Sequence, residues 1–375
     1  MANTHIIAPN WITDTLEAAH GDLPKGDDSL IDSTLSEWTK FQTFLNRSVK
    51  AGKTFTTDVV GTYQLVYSAA GSAHSGGVMS PNGDIHFMNF NAPVGQKISP
   101  SGTVSTYSLV YTTTSAYQGG VLAPNGDIHF VPYQALVGQK INASGAVSTY
   151  SIIYTLSNSY GGGVLAPNGD IHFVPFNARV GQKVNTAGTV STYSLVYSGS
   201  SKHSGGVLAP NGDIHFISGD VGQKVNTAGT VSTYSLVYTT TNAYVGGVLA
   251  PNGDIHMIPY GAAVGQKIAI DGTVSTYSLV YTTTNAYFGG VLAPNGDIHF
   301  VDHAAAVGQK ISSSGTVSTY SLVVTGTTAF RGGILALNGD IIFVPSSAAR
   351  PQRIHTNSAK PLNIGVAASP WLNKF

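Results

Sequence analysis

The sequence predicts an all-β chain: a seven-bladed β-propeller of four-stranded blades, with a short N-terminal helical extension and a C-terminal tail. Three observations predict it. A unit of about 43 residues is written seven times between Thr57 and His355. Each copy holds four short strand-like runs bounded by Gly, Pro, Asn and Ser. The two ends of the array are complementary, since a lone strand precedes the first copy and the last copy lacks its fourth strand.

Residues 1–56 form the extension. Within them 28–51 reads as a helix, because Ile31, Leu35, Trp38, Leu45 and Val49 fall on one side, with Asp28 able to cap the start and Gly52 the end. The propeller follows over 57–356. Its most regular stretch is Gly-Gly-Val-Leu-Ala-Pro-Asn-Gly-Asp-Ile-His-Phe, with the Asn at 82, 125, 168, 211, 252, 295 and 338. In the second unit, strand a runs from Gly119 to Ala123, and Asn125-Gly126 is a strong hairpin signal. Strand b runs from Asp127 to Val131, c from Val137 to Ile141 and d from Val147 to Tyr154. Four strands per repeat match a propeller blade. Thr62 to Tyr67 reads as the missing d strand of the seventh blade, pairing Gln352 to His355 and leaving no open edge. Residues 357–375 form the tail.

The fourth unit is two residues short, in the b–c loop at Ile217-Ser218-Gly219-Asp220. A symmetric b–c hairpin places Asp127 opposite Lys140, with His129 facing Gly138 and the imidazole filling the space over that glycine. Cross-strand ion pairing then accounts for the repeated Asp and Lys. The repeated histidines, His86, His129, His172, His215, His256 and His299, stand one per blade, too dispersed to share a metal ion. Ile342 takes the place in the seventh unit. The expectation is a structural histidine, hydrogen-bonded between blades.

The d–a and b–c loops vary most from unit to unit. The d–a loops carry His74, Tyr117, Tyr160, His203, Tyr244, Tyr287 and Phe330, and the b–c loops Phe90, Tyr133, Phe176, Tyr260 and His303. Both emerge on one face, which is therefore expected to be ringed by aromatics amid Asn, Thr and Ser. Such a rim suits sugar stacking, a protein interface, or capping of the core between blades. Trp11, Trp38, Trp371 and Phe375 all lie outside the repeats and are expected to serve assembly.

A formal net charge of zero gives no basic excess for nucleic acid. The absence of cysteine excludes disulfides and thiolate metal sites. The first residues have neither the basic start nor the apolar run of a secretory leader. No segment approaches the roughly 18 apolar residues of a membrane span. No catalytic motif is present. The expectation is a protein without catalytic residues, metal or cofactor.

The Gly-Gly-Val-Leu-Ala-Pro-Asn-Gly-Asp-Ile-His-Phe-Val-Pro repeat resembles propeller repeats of bacteriophage virion proteins, such as tail fibres. The closing Ser369-Pro370-Trp371-Leu372-Asn373-Lys374-Phe375 is similar to short tails on phage structural proteins. The resemblance implies a non-enzymatic virion component, assembled in a host cytoplasm. Its terminal segments would bind other virion proteins, and its propeller would contact host surface glycans. Two alternatives stand beside it: a multivalent lectin with one shallow site per blade, and a hydrolase or lyase on a propeller scaffold.

Overall fold

The computed structural model describes residues 59–67 and 71–356. The helix expected over 28–51, and Trp11, Trp38, Trp371 and Phe375, lie outside these residues. The described residues form seven antiparallel four-stranded sheets. In six of them the strands follow one another outward in sequence order, and in the seventh the outermost strand is the first of the chain. Blade 2 is strand a Tyr117–Leu122, b Ile128–Pro132, c Val137–Ile141 and d Val147–Ser151.

The a strands are innermost and pack against one another around the axis, including strand a of blade 1 (His74–Met79) against that of blade 7 (Phe330–Leu335). A side chain at Gly76 would place its Cβ 2.9 Å from Gly119 Cα, so these inner strands touch backbone to backbone. Between blades the side chains interleave as a core. Val78 and Met88 of blade 1 pack with Tyr117, Leu122, Ile128 and Phe130 of blade 2. Ring closure uses the same device, with Met79, Ile85 and Phe87 of blade 1 against Ile334, Ile342 and Val344 of blade 7.

The closing strand is Val59–Thr62, paired with Gln352–His355 through Val59↔His355 and Thr62↔Gln352. The partner is the one expected, but the strand lies three residues earlier than the expected Thr62 to Tyr67. Beyond Tyr63 the chain turns away, because the amides of Val66 and Tyr67 donate to Gln96 Oε1 in blade 1 at 3.1 and 2.7 Å.

That contact is repeated around the ring and was not foreseen from the sequence. The buried glutamine of each Val-Gly-Gln-Lys strand (Gln-Arg in blade 7) accepts two backbone N–H groups from the segment after strand d of the preceding blade. Gln139 holds Val110 and Tyr111 at 3.0 and 2.8 Å, and Gln352 holds Val323 and Val324 at 2.9 Å each. The remaining blades do the same through Gln182, Gln223, Gln266 and Gln309. Each clamp satisfies two amides that would otherwise be stranded between sheets.

The b–c register differs by two residues from the symmetric-hairpin expectation, which leaves each side chain on the face expected for it. His129 stands opposite Lys140, and Phe130 opposite Gln139. Gly138 instead faces Tyr150 of strand d. A Cβ on Gly138 would lie 2.2 Å from the Tyr150 ring, so the glycine makes room for the phenol and not for the imidazole. The Tyr150 hydroxyl then meets His129 Nδ1 at 3.1 Å within the same blade. The histidine bond is therefore inside the blade, not between blades, in each of the six blades that carry a histidine here. The ion pairs do form, diagonally: Lys140 Nζ reaches Asp127 Oδ2 at 2.7 Å, and Arg353 replaces lysine on Asp340 at 3.4 Å.

Candidate functional site

The two aromatic rows part company in the structure. The d–a row is not a surface rim. His74, Tyr117, Tyr160, Tyr244, Tyr287 and Phe330 are buried at the start of strand a, and His203 is buried just before it. In six of the blades this residue pairs with the last position of strand b, as in Tyr117↔Pro132, which turns its side chain into the space between blades. Four of the tyrosines donate their hydroxyls to the carbonyl of the valine opening strand c: Tyr117 to Val137 at 3.0 Å, Tyr160 to Val180 at 3.4 Å, Tyr244 to Val264 at 3.0 Å and Tyr287 to Val307 at 3.1 Å.

The b–c row gathers at one end of the ring. Phe90, Tyr133 and Phe176 of blades 1 to 3 form a chain with centroids 5.6 and 5.8 Å apart. Tyr260 and His303 of blades 5 and 6 lie 5.7 Å apart. The link between the groups comes from a position the sequence reading passed over, the second residue of strand a. Across the blades it is Ser75, Gln118, Gly161, Ser204, Val245, Phe288 and Arg331. No residue type dominates there, although the flanking positions repeat. Phe288 packs on Tyr260 at 5.9 Å and on His303 at 5.4 Å. Arg331 lies between Phe288 of blade 6 and Phe90 of blade 1, its Cζ 5.2 Å from each centroid.

Arg331 is the unusual group. The structure gives it no carboxylate partner among the described residues, and its Nε is buried without a hydrogen-bond partner. Desolvation lowers its pKa, partly offset by the nearby phenols of Tyr260 and Tyr133. Two aromatic faces flank the cation, but they leave its hydrogen-bonding edge unused. His303 Nδ1 lies 3.1 Å from the Phe330 carbonyl. A carbonyl can only accept, so Nδ1 carries the proton and Nε2 keeps its lone pair. Burial lowers the His303 pKa to about 4, so the imidazole is neutral at pH 7.

Blade 4 contributes no aromatic to this wall. Its shortened loop carries Asp220, which accepts from Tyr197 Oη and from Ser218 Oγ at 2.6 Å and pairs with Lys202 at 3.1 Å. These bonds pull the Asp220 pKa down to about 2 even though partial burial acts the other way. The cluster replaces the backbone amide that holds the equivalent tyrosine in blades 2, 3, 5 and 6, as Leu136 N does for Tyr111 Oη at 3.3 Å.

Next to His303, Asp302 is a buried carboxyl. Its Oδ1 accepts from Gln352 Nε2 at 3.2 Å and its Oδ2 has no partner. Burial raises its pKa from 3.8 to about 8, so the folded state holds it protonated at pH 7. Stability from this group is present below the unfolded value and is lost as pH rises toward the folded one. Asp302→Asn keeps the acceptor and removes the ionisation. It is expected to stabilise the fold at pH 7.5, with the gain about 2 kcal/mol smaller at pH 6. Urea denaturation at the two pH values checks this, and an equal gain at both would refute the shift.

No protein-family model and no curated protein matches the chain. Solved structures do. A streptogramin B lyase is similar over 81% of this chain and 99% of its own, with a TM-score of 0.69 at 20% identity. A catalytically inactive histidine-to-alanine variant of virginiamycin B lyase from Staphylococcus aureus, solved with quinupristin, matches 80% of this chain and 99% of its own, with a TM-score of 0.69 at 17% identity. The extracellular domain of a hybrid two-component system from B. thetaiotaomicron matches 82% of this chain and 44% of its own, with a TM-score of 0.63 at 10% identity. At these identities the likeness shows the fold, a seven-bladed propeller. It does not support the virion setting. It also overturns the expectation of a non-enzymatic protein, because the similar solved structures include lyases.

Proposed function

We propose that the chain is a propeller enzyme of the lyase type, with its site at the aromatic end of the ring axis. The reading rests on one observation. Arg331 is a partly buried cation between two phenyl rings, with no carboxylate partner among the described residues and an unpartnered Nε. A desolvated charge costs stability unless something answers it, and a ligand oxygen would answer it. The fitting substrate carries a flat apolar group and a carbonyl or carboxylate oxygen.

His303 supplies the second element. Its neutral Nε2 is the base that takes a proton from the carbon beside the substrate carbonyl. The released electron pair forms a carbon–carbon double bond as the bond to the leaving oxygen breaks, and that oxygen departs with a proton from Tyr260 or solvent. Arg331 holds the oxyanion that develops on the carbonyl. No water is consumed. The likeness to lyases supports this class of reaction, and quinupristin, present in one of those structures, is the first probe to try.

Arg331→Met separates function from fold. It is expected to abolish ligand binding while raising stability by about 1–3 kcal/mol, since an uncompensated charge gives way to an apolar chain of similar length. Calorimetry with quinupristin and a panel of aryl esters, together with thermal melts, reads both effects. Product mass spectra distinguish elimination from hydrolysis. A variant that loses stability and binds as the parent does would overturn the assignment.

A further inference from the structure

Blade 1 departs from its neighbours beneath Phe90. Strand a opens with His74, where blades 2, 3, 5 and 6 have tyrosine. The residue opposite is Asn89, where blades 2, 3, 5 and 7 have Pro132, Pro175, Pro259 and Pro345. Both His74 and Asn89 are fully buried. Among the described residues, neither ring nitrogen of His74, and neither the oxygen nor the nitrogen of the Asn89 amide, has a hydrogen-bond partner. The Gln96 amide nitrogen is also without one. Blade 4 offers a comparison, because His203 Nε2 there lies 3.2 Å from the Gln223 amide nitrogen.

We infer that blade 1 encloses ordered water, held by His74 and Asn89. An imidazole ends short of the phenol hydroxyl that reaches the strand c carbonyl in the tyrosine blades, so the exchange vacates space of about one water, roughly 30 Å³ in the liquid. The chemistry of the lining selects the occupant. Burial lowers the His74 pKa to about 4, so the ring is neutral with one donor and one acceptor. Asn89 adds a donor and an acceptor, and Gln96 a donor. A cation would face the two amide N–H₂ groups and an anion would face the acceptors. Water satisfies both sets, and buried polar groups left without partners are otherwise rare. The site is independent of the proposed reaction. It lies directly below the aromatic wall, where the Phe90 amide donates to the Ala73 carbonyl at 3.0 Å.

The test compares the parent with the double variant His74→Tyr/Asn89→Pro, which gives blade 1 the residues of blade 2. High-resolution crystal structures and water relaxation dispersion in solution read the occupant. The expected result is density bridging His74 and Asn89 in the parent, a long-lived water lost in the variant, and a higher Tm for the variant. His74→Tyr alone gives the same readouts should the double variant fail to fold. A direct His74–Asn89 hydrogen bond with no intervening density, or a long-lived water count unchanged by the substitution, overturns the inference.

Discussion

Lowering the pH from 6.5 toward 4 is expected to unfold the protein in one sharp transition, with its midpoint between pH 5 and 6. The cause is a set of eight histidines whose pKa values burial lowers from 6.5 to about 4: His74, His86, His129, His172, His203, His215, His256 and His303. The folded state keeps them neutral while the unfolded chain protonates them near 6.5. Stability is therefore full above 6.5 and is lost as pH falls toward 4. At pH 5 each histidine has given up about 2 kcal/mol. Eight together exceed the 5–15 kcal/mol typical of a folded domain. Asp302 works in the opposite direction, gaining about 3 kcal/mol between pH 7 and 5, but one group does not offset eight. Circular dichroism along a pH titration measures the midpoint. Unchanged denaturant stability from pH 7 to 4.5 would show that the imidazoles are not held neutral. Ile342 gives an internal control, since blade 7 has no imidazole there and Tyr63 donates instead to the Phe343 carbonyl at 3.3 Å.

The second large effect is expected at Gly138. Replacing it by alanine drives a methyl group to 2.2 Å from the Tyr150 ring. The ring must swing out, which breaks its bond to His129 and its edge contact at 5.3 Å between centroids. The cost is expected to be about 3–4 kcal/mol, within the range for losing a packed aromatic. In a Tyr150→Ala background the same substitution has nothing to displace and should cost less than about 1 kcal/mol. The difference is the coupling a double-mutant cycle reports. Equal costs in both backgrounds would mean that the glycine serves the backbone and not the ring.

The blade count was readable because the Asn-Gly turns recur on a fixed period, and a turn of that chemistry forces the hairpin wherever it stands. The register of the b–c hairpin was not readable from its loop, because the long Lys140 side chain satisfies Asp127 diagonally and so hides a two-residue offset. The c–d turn held better information. Centring that hairpin on residues 142–146 places Gly138 against Tyr150, as observed. The glutamine clamp was not legible, because a Gln repeated on strand c carries no signal for backbone amides of the preceding blade. Of the site, Phe90, Tyr133, Phe176, Tyr260 and His303 were legible as a row of rings. Arg331 and Phe288 were not, because the position they share is one that the blades do not repeat. The informative signal was the reverse, one position occupied by six residue types in seven blades. In a rotationally repeated scaffold a single asymmetric ligand needs such a position.

The closing sheet joins Val59–Thr62 to Gln352–His355, so its outermost strand is made first and its partner last. During synthesis that leading strand must wait through almost the whole of translation before it finds its edge. Loop-closure entropy then falls on the final step of ring formation rather than on each blade. A circular permutant that joins the present ends through a linker and opens the chain between two blades would build every sheet from contiguous chain. It should fold faster than the parent, and a nascent chain stalled before residue 352 should leave six blades complete and the seventh open.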